Sequence, residues 1–135
     1  MWFEPAQDYA ELPGVAEDSE LCVRDRVMRA DGEPVMLAVS RLPRDITRGT
    51  ALEGTDTGPG GALARLEEAG FEITRHEEIV SARMPDANER QLLDLGSGPV
   101  LTVRRRTWSG DRVVEATDMV MSGIGYELRY AWDAD

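Results

Sequence analysis

Lysine is missing altogether: the 15 basic residues are all arginine, set against 26 aspartates and glutamates, and the formal net charge is -11. The missing lysine reads as compositional bias of the genome. The acidic balance has a sharper consequence, because a surface of this sign repels a phosphate backbone and makes the chain alone a poor nucleic-acid binder. Cysteine occurs once, as Cys22. An internal disulfide is therefore excluded, and within a strand-like stretch the thiol is expected to serve as a small buried hydrophobe. Histidine also occurs once, as His76. One Cys and one His cannot supply zinc-ligand spacing, and no metal or cofactor is expected. No serine or cysteine nucleophile motif accompanies His76, which places it at a strand edge or surface rather than in catalysis. No apolar run approaches a membrane span, and no basic-then-apolar leader opens the sequence. A soluble, cytoplasmic protein without membrane contact is the expectation.

What is present fits one domain, since 135 residues suffice for a single core. Residues Met1 to Glu20 hold Pro5, Pro13, Gly14 and many acids with little periodicity. They read as a linker or N-terminal arm, although Trp2 and Phe3 are costly to leave exposed. Leu21 to Ala30 and Val35 to Leu42 read as a hairpin around the turn Asp31-Gly32-Glu33-Pro34. After an irregular stretch, Pro59-Gly60-Gly61 opens a helix that closes at Ala69-Gly70. Phe71 to Met84 reads as one long strand. Asp86 caps a second helix whose apolar face is Leu92, Leu93 and Leu95. Two further strands and a last one over Tyr126 to Trp132 complete the chain. The order predicts an α+β domain, an antiparallel sheet with helices packed on one face.

The stretch Val100 to Trp108, the short loop Ser109-Gly110-Asp111-Arg112 and the run Val113 to Met121 read as the central hairpin. Side chains alternate along a strand, so Leu101, Val103, Arg105 and Thr107 share a face. Arg105 then ends an otherwise apolar row. A guanidinium there needs an anion, and Glu115 on the return strand or a ligand would supply it. Such a pair would suit an amine- or hydroxyl-bearing acid better than a bare dianion.

Several segments resemble one family in order and spacing. Asp31-Gly32-Glu33-Pro34-Val35, Arg41-Leu42-Pro43-Arg44 and Glu78-Ile79-Val80-Ser81-Ala82-Arg83-Met84-Pro85 are three of them. Leu95-Gly96-Ser97-Gly98-Pro99-Val100-Leu101 followed by Arg105 is the most specific, and Arg106-Thr107-Trp108-Ser109 is close to the histidine-utilisation branch. Over Leu21 to Trp132 the chain resembles the UTRA domain, the effector-binding half of GntR-superfamily regulators of the HutC type. The resemblance implies a chorismate-lyase-like fold over residues 21–135 and no enzymatic activity. It also implies a homodimer, and operator DNA reached through a winged helix-turn-helix outside this chain. It further implies a pocket for an anionic small-molecule effector lined by Gly60, Gly61, Arg105, Thr107, Glu115 and Tyr126. Two departures favour a small carboxylate over a phosphate. Pro59-Gly60-Gly61-Ala62 stands where the family puts a Ser or Thr with a bulky apolar residue, and Thr107 stands where a second arginine is common. A small-molecule enzyme on the same fold and a ligand-free dimerisation module are the rival readings.

Overall fold

The computed structural model describes residues 1–9, 12, 15–16 and 18–135, with the Asp8 side chain left aside. Pro13 and Gly14, part of the arm reading, lie outside the described residues. Six strands form one sheet: β1 (Trp2–Pro5), β2 (Glu20–Ala30), β3 (Glu33–Pro43), β4 (Arg75–Arg83), β5 (Val100–Ser109) and β6 (Arg112–Ser122). Their spatial order is β1-β2-β3-β6-β5-β4, with every neighbouring pair antiparallel. The helices are α1 (Arg44–Thr47), α2 (Gly61–Glu68) and α3 (Ala87–Leu92).

The two hairpins form where the sequence signals them. Asp31 and Gly32 take positive φ at the β2–β3 turn, as a tight two-residue connection requires. The β5–β6 ladder is irregular between Thr107 and Trp108, where Thr107 faces Glu115 and Trp108 faces Val113. Val114 is thereby the extra residue of a β-bulge, and the alternation slips by one. Val113 and Ala116 pack with Leu21, Ala6 and Leu12 on one side of the sheet. Val114 packs on the other with Leu42, Ile46, Leu52 and Leu66. Those four residues come from β3, α1, a 3-10 turn at Ala51–Glu53, and α2. They form the helical layer.

The N-terminal segment joins the sheet as β1, pairing Trp2 with Val23 and Pro5 with Glu20. Phe3 and Tyr9 lie beneath the guanidinium groups of Arg44 and Arg41, 3.7 and 4.5 Å from the ring centres. Asp86 caps α3 in a reciprocal capping box with Glu89, whose carboxylate also holds Arg83 at 2.7 Å. Of the three leucines expected on that helix's apolar face, Leu93 is buried and Leu92 is exposed. Two expectations are corrected. The long strand begins at Arg75 rather than Phe71, because Gly70 ends α2 with positive φ and residues 71–74 run irregularly. The last strand over Tyr126 to Trp132 does not form, for that segment pairs with no strand and runs irregularly past Ser122.

Candidate functional site

Register decides which side chains meet. Arg24 pairs with Ser40, Ser40 with Thr117, Thr117 with Arg105, and Arg105 with Glu78. This row crosses the sheet on one face. Arg26, Ala38, Met119, Val103 and Val80 form the next row on the same face. Thr107 and His76, with Glu115 opposite Thr107, form the row nearest the helical layer.

A chain of hydrogen bonds runs along this face. The Arg26 Nη2 donates to Ser40 Oγ at 2.7 Å, and Ser40 Oγ lies 2.9 Å from Thr117 Oγ1. Thr117 in turn donates to Glu115 Oε1 at 3.1 Å. Because the guanidinium occupies a lone pair of Ser40, the serine hydroxyl hydrogen is free to point at Thr117. Glu115 itself is 7% exposed, and its Oε2 is enclosed with no hydrogen-bond partner among the described residues. Burial pushes its carboxyl above the usual carboxylate range, against the Thr117 hydrogen bond and the fields of Arg26, Arg105 and His76.

Arg105 is half-buried and does not pair with Glu115. Its Nη2 reaches Glu78 Oε2 at 3.5 Å, across β4 rather than β6. The sequence expectation of an Arg105–Glu115 pair is corrected for a plain reason: the residue facing Arg105 on β6 is Thr117, and Glu115 faces Thr107. Thr107 is fully buried, with its hydroxyl 3.1 Å from His76 Nδ1. His76, expected at a strand edge, stands on edge strand β4 but turns its ring onto this face.

A cavity of about 360 Å³ opens over the row, lined by Arg105, Glu78, Val103, Met36, Met119 and Tyr130 among others. His76, Glu78, Val80 and Tyr130 line an adjoining one. The residue bordering both from the C-terminal segment is thus Tyr130, where the sequence pointed to Tyr126. Tyr126 is 40% exposed and lines neither cavity. Burial and the neighbouring Glu78 raise the Tyr130 hydroxyl above its ordinary value. Gly60 and Gly61 start α2 with positive φ, and a Cβ on Gly60 would lie 2.6 Å from that of Ala64. The two glycines serve the helix start, and neither lines the cavities at Arg105.

Sequence reasoning missed two arginines. Arg24 is buried and donates to the carbonyls of Leu52, Gly54 and Thr55, fastening the loop after the 3-10 turn to the sheet. Arg26 starts the hydroxyl chain. Their even spacing along β2 with Cys22 was the available signal. Neither has a carboxylate within ion-pair distance among the described residues. Those residues also contain no cluster of His, Cys, Asp and Glu suited to a metal, and no helix long and apolar enough to cross a membrane.

Arg24, Arg26 and Arg105 thus share one sheet face of an α+β domain, and a modest cavity opens beside Arg105. Residues 3–127 match the UTRA domain family, and the chain belongs to it. An uncharacterised helix-turn-helix-type transcriptional regulator of Streptomyces coelicolor is 30% identical over 126 residues, 90% of this chain and 46% of the relative. The chain thus spans about half the length of that relative. The C-terminal domain of the histidine utilization repressor of Pseudomonas syringae pv. tomato superposes with a TM-score of 0.82 at 25% identity, over 98% of this chain and 93% of that one. PhnF of Mycobacterium smegmatis shares the fold, with a TM-score of 0.80 at 23% identity over 90% of this chain and 54% of its own. The chain thus groups, as a UTRA domain, with domains of transcriptional regulators.

Proposed function

We propose that the domain senses an anionic small molecule held at Arg105, and that it relays occupancy to a winged helix-turn-helix DNA-binding domain outside this chain. The observation carrying this reading is charge on one sheet face. Arg24, Arg26 and Arg105 stand there together, and among the described residues a single long contact from Glu78 is the only ion pair any of them makes. A planar guanidinium at a cavity wall takes a carboxylate through two parallel hydrogen bonds. Thr107 and Glu115 support Arg105 from the row behind it. An anion entering here replaces Glu78 as the partner of Arg105.

The domain acts as a homodimer, a reading supported by the open edge of β4, where Ile79 and Val80 are exposed. Residues 1–20 serve as a linker or N-terminal arm of the domain. Thermal shift against a panel of small carboxylates and inorganic phosphate tests the site. Arg105→Ala should abolish the shift while leaving the empty domain folded, and Arg105→Lys should bind poorly because a point charge lacks the fork. An undiminished shift in Arg105→Ala refutes the assignment. Light scattering that shows only monomer at every accessible concentration refutes the dimer.

A further inference from the structure

Among the described residues Glu115 is the one carboxyl group enclosed within this cationic face, and its environment does not suit a carboxylate. Its Oε1 receives, among the described residues, a single hydroxyl hydrogen bond and its Oε2 receives none. Among the described residues no cation lies within ion-pair distance of it. A buried carboxylate lacking both pairing and full hydrogen bonding is far costlier than the neutral acid. We infer that Glu115 serves the site as a neutral acid, so that an anion taken up at Arg105 is bound together with the proton on Glu115. The site then selects simple anions over amine-bearing zwitterions. This rests on the anion reading of Arg105 above, and it reverses the amine half of the sequence-based preference for an amine- or hydroxyl-bearing acid.

The charged and titratable groups around Glu115 come from three strands. β2 brings Arg24 and Arg26, β4 brings His76 and, beyond Arg105, Glu78, and β5 brings Arg105. β3 contributes only the Ser40 hydroxyl, and the helical layer brings Leu52 and Leu66 against the neighbouring Val114. With Glu115 neutral, Arg24, Arg26 and Arg105 outnumber the neighbouring carboxylates, Glu78 beside Arg105 and Asp56 acting on Arg24. That excess positive charge is what an anion answers. Once bound, the anion cancels the Arg105 field that favours ionisation of Glu115 and adds a negative charge nearby. Ionisation of Glu115 and anion binding therefore oppose each other, and by linkage the opposition is mutual. An ammonium on the ligand would reverse the sign, since it would pair with the ionised form.

The test uses acetate and β-alanine as probes, followed by NMR from about pH 5.5 to about 9, a range that also spans histidine titration. In the wild type, acetate affinity should be constant at low pH. It should weaken by up to about tenfold per pH unit once Glu115 ionises. Glu115→Gln should bind acetate as tightly as the low-pH wild type at every pH, with no slope. His76→Gln should keep the slope, which separates Glu115 from the histidine. β-Alanine should bind no tighter than acetate. A slope that persists in Glu115→Gln, or β-alanine binding that strengthens with pH, overturns the inference while leaving the anion site at Arg105 standing. Acetate binding that is absent, or that survives Arg105→Ala, overturns the anion reading and this inference with it. Should Glu115→Gln fail to fold, the wild-type Glu115 side-chain carboxyl carbon gives the answer directly. Its titration midpoint should rise on acetate loading, and a fall refutes the proposal.

Discussion

Arg24 shows how a single buried charge sets local architecture. Its guanidinium donates to carbonyls of Leu52, Gly54 and Thr55, groups that no strand or helix ladder satisfies. Burial lowers its pKa, yet an arginine stays charged inside a protein. Replacing it by Met keeps much of the volume, takes these donors from the Gly54 and Thr55 carbonyls, and leaves Leu52 only the weak Cys22 Sγ contact at 3.8 Å. We expect Arg24→Met to lose about 3 kcal/mol in urea denaturation, since a hydrogen bond to a charged group is worth more than a neutral one. Near-wild-type stability would mean that water serves these carbonyls equally well. Glu115 works in the opposite sense. Its folded pKa is raised, so the native state holds a proton that the unfolded chain has released. Stability should therefore fall as pH rises from the usual carboxylate range through the folded value, and Glu115→Gln should remove that fall. At this scale the sequence was only partly legible. Arg105 could be placed at the end of an apolar row from alternation alone. Its partner could not, because Val114 adds a residue to β6 and moves Glu115 opposite Thr107.

Among the elements, local signals were strongest where the backbone itself needs special residues. The β2–β3 turn, the start of α2 at Gly60 and Gly61, and the Asp86 cap were all readable because few residue types satisfy those geometries. The C-terminal segment is the contrary case. Ile124, Tyr126, Leu128, Tyr130 and Trp132 alternate as a strand should. Alternation records one-sided burial and not a ladder. Here Leu128 and Tyr130 border the Arg105 cavity, Trp132 is 84% exposed, and the segment joins no strand. At α3, Asp86→Ala removes the N-cap acceptor and half of the capping box, and it should cost about 1 kcal/mol in thermal or urea melts. Arg83 holds the Glu89 carboxyl below its usual range. The stability from that contact is present above the unfolded pKa and is lost as pH falls through the folded one. α3 should accordingly lose protection against amide exchange at acid pH, and Glu89→Gln should show no such acid loss.

For the whole molecule, the sheet divides its labour by face and by end. The helical layer and the N-terminal arm close opposite faces at the end where Leu21, Leu42, Val113 and Val114 lie. The other end carries Met36, Met119 and Met121 around the Arg105 cavity, where adaptable side chains suit a small guest. Charge then separates sensing from DNA binding. A net charge of -11 works against a polyanion over the whole surface, and the cationic groups at the candidate site sit on a partly covered sheet face. Neutralising phosphates requires arginines that reach out from the surface, and here Arg44, Arg83 and Arg112 are tied to Glu20, Glu89 and Asp45. We therefore expect this chain by itself to leave a duplex DNA probe unshifted in gel retardation, even at low salt where electrostatic attraction is greatest. Joined to a winged helix-turn-helix, the same domain should change DNA affinity only through its effector, and Arg105→Ala should abolish that response while basal DNA affinity stays. Sequence-dependent, nanomolar retention of DNA by this chain alone would refute the separation, because it would place a reading surface on the acidic domain itself.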